Sequence, residues 1–361
     1  MIKSCLLALA LLAPAGLALP LAAADDPANQ AYTLRMAGKV DEAKAQLEQA
    51  LTDTPNSAAA HYELARTQLH MALGDIRNLE QHLADAHRSI GNAVKHDPKK
   101  VMYHTFAGQV AYFRAYMAMQ MRQPGLKERF TETCRAYESA LALKPDYPQV
   151  LLFLVELHSG FPESAGADRA QAEQYAQRVQ AMGDVWAAKA RSILSPESCG
   201  VDFWKSALEE TKAGHADILE ELGKAYLRDE QVDEAVKCFE QAIERDPAKA
   251  YLFLDLSIYH TFRAMRAGED KELLQTSLRS GDAAVTRYLD SKPIQPMQAY
   301  ALGVQSKYKR HMGNVEQAQA LVNRAKALDP YFSKATGSPN PDLFIPPGEI
   351  SQNHGYLMRP F

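Results

Sequence analysis

Residues 217–247 read DILEELGKAYLRDEQVDEAVKCFEQAIERDP. In the first half Leu219, Leu222-Gly223 and Tyr226 recur at intervals of three and four. In the second half Ala235, Phe239 and Ala242-Ile243 do the same. That is the period of one face of an α-helix. The polar run Arg228 to Gln231 separates the halves, and Pro247, which has no backbone donor, stops the second. The stretch therefore predicts two amphipathic helices joined by a turn. Gly223, Ala235 and Ala242 are small where the two helices meet, so the pair can approach closely. One such pair cannot bury its apolar face alone, and it needs neighbours of the same kind.

The neighbours are present. Gly38, Ala43, Leu47, Ala50-Leu51 and Pro55 repeat the turn and second helix. Tyr62 to His70 with Ala86, Ile90, Ala93-Val94 and Pro98 form a second unit. Phe106-Ala107-Gly108 with Tyr137, Ala140-Leu141 and Pro145 form a third. Leu151, Leu154 and His158 with Ala172, Ala176 and Val179 form a fourth. After the unit at 217–247, Phe253, Leu256 and Tyr259 with Val285, Tyr288-Leu289 and Pro293 form a sixth. Leu302-Gly303 with Gly313, Ala318, Val322, Ala325 and Pro330 form a seventh. This pattern resembles the tetratricopeptide repeat, a helix–turn–helix unit of about 34 residues. The resemblance implies an all-α fold, an α-solenoid of about seven units with a concave groove. Successive terminating prolines at 55, 98 and 145 lie further apart than one unit, so residues 71–79, 115–130 and 264–273 are insertions that lengthen helices past the stack.

Outside the repeats the chain changes character. Lys3, the apolar run Leu6 to Leu21, and Ala22-Ala23-Ala24 before Asp25 read as a secretory signal peptide cut after Ala24. The run is interrupted by Pro14, Gly16 and Pro20, and it is short for a membrane span. The expected organisation is thus a signal peptide at 1–24, N-terminal repeats with long helices at 25–184, a degenerate helical spacer at 185–215, C-terminal repeats at 216–336 and an extended tail at 337–361. Trp186 and Trp204 should fill the packing fault at the spacer. Pro and Gly at 337–348 exclude helix from the tail, whose Phe344, Ile345, Tyr356, Leu357 and Phe361 suit docking on the last repeat or in the groove.

Composition narrows the function. A net charge of −4 over 361 residues offers no basic surplus for nucleic acid or an anionic membrane. After signal cleavage the chain should be periplasmic or secreted, with no stable membrane insertion. Of its three mature cysteines, Cys134, Cys199 and Cys238, at most two can pair with each other. Both Cys199–Cys238 and Cys134–Cys199 are open; the plainer reading is three small, partly buried side chains.

No phosphate-binding loop, zinc helix motif, Cys-x-x-Cys or nucleophile elbow occurs. The reading is of a non-enzymatic chain with no cofactor and no metal. Two clusters bear on that reading. Met117 and Met121 share a helix face near Met102, His104 and His70-Met71, a soft donor set for Cu(I); a flexible apolar helix face explains them as well. The loop Ser159 to Asp168 carries glycines whose free N–H groups could meet an anion, and Asp168 or Ser164 suits a helix cap. His61 and His104 hold matching helix-start positions and His158 and His260 matching helix-middle ones, as packed residues do.

In the family this chain resembles, the inner face of each first helix binds extended peptides or partner helices. The resemblance carries that role to Tyr62, Arg66 and His70 in unit two, and to Thr105, Gln109, Tyr112 and Phe113 in unit three. Unit four supplies Leu152 and Glu156, and unit five Glu220, Lys224 and Arg228. Unit six supplies Leu254, Thr261 and Phe262, and unit seven Tyr300, Lys307 and Tyr308. Aromatic and Arg side chains of this kind dominate binding energy at interfaces. The carboxylate clamp of some family members needs Lys and Asn where this chain has Ala28, Tyr32 and Tyr62, so that clamp is absent. The function expected is an exported scaffold or adaptor that binds a protein segment in its groove for an envelope complex. The alternative is a solute- or lipid-binding component of periplasmic transport, with Met117, Met121, Tyr112 and Phe113 lining a cavity.

Intact-mass spectrometry of the exported protein should find an N-terminus at Asp25. A secreted chain that retains residues 1–24 overturns the signal-peptide reading.

Overall fold

The computed structural model describes residues 26–211, 215–335 and 343–349. Sixteen α-helices account for these residues, without a strand among them. They pair in chain order as the periodicity requires. The pairs are α1 (Pro27–Met36) with α2 (Val40–Asp53), α3 (Ala58–Gly74) with α4 (Leu79–His96), and α5 (Val101–Gln120) with α6 (Leu126–Leu143). Next come α7 (Pro148–Gly160) with α8 (Arg169–Gln180) and α9 (Asp184–Leu194) with α10 (Val201–Glu210). The last three are α11 (Ala216–Arg228) with α12 (Val232–Arg245), α13 (Leu252–Arg266) with α14 (Lys271–Asp290), and α15 (Gln295–His311) with α16 (Val315–Leu328). The insertions lengthen helices as expected, with α5 and α14 reaching 20 residues each.

Local chemistry sets the boundaries. In the α11–α12 pair a Cβ at Gly223 would overlap the Phe239 ring, so only glycine allows this approach. Asp168 caps α8, its side chain accepting from Ala170 N–H at 2.8 Å. His61 and His104, at equivalent positions, each place Nε2 within 2.9 and 2.8 Å of the proline carbonyl six residues earlier, Pro55 and Pro98. The spacer is a true helical pair. Trp204 is buried in the core it shares with α11, whereas Trp186 is only partly buried and lines an open cleft of about 260 Å³ with Met182, Gly183, His215 and Asp217. Cys134, Cys199 and Cys238 are buried free thiols, and none of them is bridged.

One feature departs from the quasi-linear stack that periodicity suggests. The first and last repeats meet. Every residue of α3 from Ala60 to Ala72 is buried, although one face carries Glu63, Arg66, Thr67 and His70. In an open stack that face would meet water. Here it is covered by the chain's own end. His70 Nε2 lies 2.8 Å from Asp329 Oδ2, both fully buried, and the His70 ring packs edge-on to Phe332 at 4.1 Å. Burial pushes the His70 pKa down, against the pull of Asp329. Asp329 also accepts from the N–H groups of Tyr331 and Phe332, both at 2.9 Å, and so fixes the turn after α16. Gln295 Nε2 donates to the carbonyls of Ala37 and Leu328, and Tyr331 OH donates to Asp41. Gly38 has φ +71°, and a Cβ there would overlap the Leu328 carbonyl oxygen.

Asp329→Ala should therefore open the seam. It strands His70 and frees two backbone donors, a loss of about 2–4 kcal/mol. Thermal denaturation should show the loss, and small-angle scattering of the folded fraction a larger radius of gyration. A variant with wild-type values of both would mean the ends are not joined in solution.

Candidate functional site

The expected groove positions fall into three environments. Tyr62, Arg66 and His70 lie together at the seam. The Tyr62 ring packs tilted against Tyr103 and edge-on to Phe106, with centroids 5.0 and 5.5 Å away. Gln109, Tyr112 and Phe113 are buried, Phe113 in the core around α3 and Tyr112 in a second core with Phe153 and Phe161. Burial raises the Tyr112 pKa. Thr105, Leu152 and Leu254 are buried, and Glu156 is half-buried. Tyr300 and Tyr308 are also buried; the Tyr308 hydroxyl donates to the Ser257 carbonyl at 2.6 Å and lies 2.6 Å from Thr261 Oγ1. Arg228, Thr261, Phe262 and Lys307 face solvent, Phe262 being 44% exposed. The concave set is thus not one continuous open groove.

At the seam the tail enters the site. Arg35 and Arg66 are fully buried on either side of Glu63, with Arg35 2.8 Å and Arg66 3.1 Å from its carboxylate. Two guanidiniums share one carboxylate, so their other N–H groups need acceptors. Two carbonyls of the tail accept from them, and the carbonyl between those two accepts from Tyr32. Arg35 Nη1 and Arg66 Nη2 donate to Leu343 O at 2.6 and 2.9 Å, Arg66 also donates to Ile345 O, and Tyr32 OH donates to Phe344 O at 2.8 Å. The Tyr32 ring lies 5.6 and 5.5 Å from the two guanidinium carbons, which suits a cation–π contact. Leu343 is fully buried. Burial pushes the Arg35 pKa down, opposed by Glu63. The tail residues 336–342 and 350–361 lie outside the described residues.

A second buried polar cluster crosses the middle of the stack. Glu220 on α11 accepts from Lys224 at 2.6 Å, from Lys249 at 2.7 Å and from Tyr251 OH at 2.9 Å. Asp217 accepts from Lys249 at 2.5 Å and from Lys189 at 2.9 Å. The cluster ties the spacer helix α9 to α11 and to the turn before α13. Burial alone would raise the Glu220 pKa; Lys224 and Lys249 outweigh it and hold it at about 2. Asp255, 3.9 Å from Lys224, is raised to about 6, because burial there outweighs the lysine.

Among the described residues a cysteine faces a histidine. Cys134 Sγ lies 3.7 Å from His158 Nε2, while His158 Nδ1 accepts the Asp168 N–H at 3.1 Å. Accepting at Nδ1 places the neutral ring's proton on Nε2, facing sulfur, so His158 is in the wrong tautomer to take the thiol proton. Burial accordingly pushes the Cys134 thiol up to about 12. The methionine set does not converge: Met117 packs on the first core, Met119 on the second, and Met121 is 54% exposed. Among the described residues no group of three His, Cys, Asp or Glu is placed to hold a metal, and no helix is long and apolar enough to cross a membrane.

Sequence reasoning found Arg66 and His70 but not Tyr32, Arg35, Glu63 or Asp329, nor Lys189 and Lys249. Glu63 and Arg66 stand one turn apart on α3, a visible pair. Arg35 and Asp329 meet α3 from positions 28 and 259 residues away from their partners, a distance no local spacing reveals.

Fold and concave face together define a helical-repeat scaffold of the protein-interaction class. Tetratricopeptide repeat models match residues 29–71, spanning α1 to most of α3, and residues 216–249, the α11–α12 pair. The chain carries tetratricopeptide repeats in these two stretches. No curated protein matches its sequence. Among solved structures it is similar to MamA, with 20% identity over 60% of this chain and 95% of that one and a TM-score of 0.32. It is also similar to a monomeric IFIT1 mutant with m7Gppp-AAAA, at 14% identity over 84% of this chain and 59% of that one, TM-score 0.38. For the human IFIT1 dimer with PPP-AAAA the figures are 15%, 83%, 81% and 0.34.

Glu220→Gln should destabilise the chain by about 2–4 kcal/mol at neutral pH, because Lys224 and Lys249 each lose one of the carboxylates that hold them. Glu220 titrates lower when folded than the usual 4.5, so its contribution is present above that value and disappears as pH falls toward about 2. The gap between wild type and variant, read from denaturant midpoints, should narrow over that window. A gap that stays constant down to pH 2.5 contradicts the assignment.

Proposed function

We propose that this protein is an exported, non-catalytic scaffold that binds a segment of a partner protein on its concave face and assists an envelope or periplasmic complex. One observation carries the reading. The facing sides of α1 and α3, where the repeat places peptide-binding residues, already hold the bent stretch Leu343–Ile345 by its three main-chain carbonyls. Main-chain hydrogen bonds of this kind give affinity for a segment of chain, and side-chain pockets give selectivity. The leader-like first 24 residues support export. Repeat scaffolds of this class are generally non-catalytic, and the Cys134–His158 tautomer agrees with that. The solvent-facing positions Arg228, Phe262 and Lys307 are where a partner would extend the contact along the second half of the stack.

A photo-crosslinker placed in turn at Arg228, Phe262 and Lys307, in native envelope fractions, tests this. The same protein should be captured from all three and not from Val315, which is 63% exposed on α16. Capture from none of the three, or equally from Val315, overturns the reading.

A further inference from the structure

We propose that the seam between the first and last repeats is an acid-sensitive latch: a proton taken up at His70 Nδ1 releases α3 from the turn after α16 and leaves the rest of the stack folded.

Three observations carry it. First, the His70–Asp329 pair joins residues 259 positions apart, and neither side chain meets water. The Asp329 carboxylate also accepts the N–H groups of Tyr331 and Phe332, so it is the acceptor, and His70 donates to it from Nε2. Second, donation from Nε2 puts the neutral ring's lone pair on Nδ1, which is buried without a hydrogen-bond partner among the described residues. A proton arriving there makes a buried N–H with no acceptor on a cation with no water around it. The closed seam therefore binds that proton less well than the open one does. The charges facing the ring divide. Asp329 across the seam and Glu63 on the same helix favour the proton, Arg35 on α1 opposes it, and burial opposes it most. Tyr331, edge-on to the ring at 6.4 Å, is kept neutral by burial and by Asp41, which accepts its hydroxyl; Asp75 and Asp329 add to this. Third, the stack does not need the seam to stay folded. Its main helix contacts join neighbours in the chain, so parting the ends leaves a linear array of paired helices. What opens is the polar face of α3, with Glu63, Arg66, Thr67 and His70.

The sign follows from the lowered titration of the closed form. His70 takes its proton below its usual 6.5, so the seam is at full strength above that value and weakens as pH falls below it. One proton limits the change to about tenfold per pH unit.

Hydrogen exchange of the full chain, corrected for the intrinsic pH dependence of exchange, tests this. The Tyr331 and Phe332 amides, which bond Asp329, read the seam, and those of α11 are the internal reference. Between pH 6.5 and 5.0, above the range where ordinary carboxylates titrate, protection at Tyr331 and Phe332 should fall about 3- to 30-fold further than in α11. His70→Gln, which keeps a neutral N–H donor at the place of Nε2, should abolish that extra loss. Protection that falls in step with α11, or an extra loss that persists in the Gln variant, overturns the proposal. If the variant is unprotected even at neutral pH, a magnetic-resonance titration of the wild-type chain with isotope-labelled histidine decides. A His70 titration below 6.5 supports the latch, and one above it overturns the latch.

Discussion

Two buried guanidiniums that share one carboxylate constrain the rest of this molecule. Arg35 and Arg66 cannot both be satisfied by Glu63, and a buried charge with unmet donors is costly. The missing acceptors are carbonyl oxygens near the other end of the chain. The two ends complete each other: Tyr32, Arg35 and Arg66 donate, and the carbonyls of Leu343, Phe344 and Ile345 accept. Their meeting covers α3 on every side and brings His70 to Asp329. A stack of repeats is thereby closed on itself.

The middle of the stack is held differently. Between α8 and α11 the repeat pattern is weakest, and the helix pair α9–α10 contributes Trp204 to the shared core. What crosses this irregular join is a line of alternating charges from Lys189 through Asp217, Lys249 and Glu220 to Lys224. Ionic contacts of this length tolerate imperfect helix packing better than interlocking apolar side chains do, because a flexible lysine reaches its partner from several angles. The same cluster takes Lys224 out of the open groove, and the remaining free positions are thinly spread over α11, α13 and α15.

The site was partly legible. The repeat offsets named Tyr62, Arg66 and His70, and these three stand together on α3 at the seam. They could not show that the chain supplies its own occupant there, nor that Gln109, Tyr112 and Tyr300 would be sealed in cores. Offsets describe one unit and its neighbour. Burial at a given position depends on which helices beyond the neighbour come round to cover it. His61 and His104 illustrate the opposite case: equivalent positions made equivalent bonds to Pro55 and Pro98, because those contacts lie within six residues.

The sequence by itself determined the helices, their pairing and their turns. Apolar spacing, small residues such as Gly223 and stops such as Pro247 act over one or two turns, and one strand of residues carries all that is needed to read them. Only the tertiary structure decided that the ends join, that Leu343–Ile345 lies on α1 and α3, and that Lys189 and Lys249 meet the same aspartate. Those contacts join residues as far as 312 positions apart. They depend on the summed rotation between successive helix pairs, a quantity to which every repeat contributes a little and which no single stretch of sequence records.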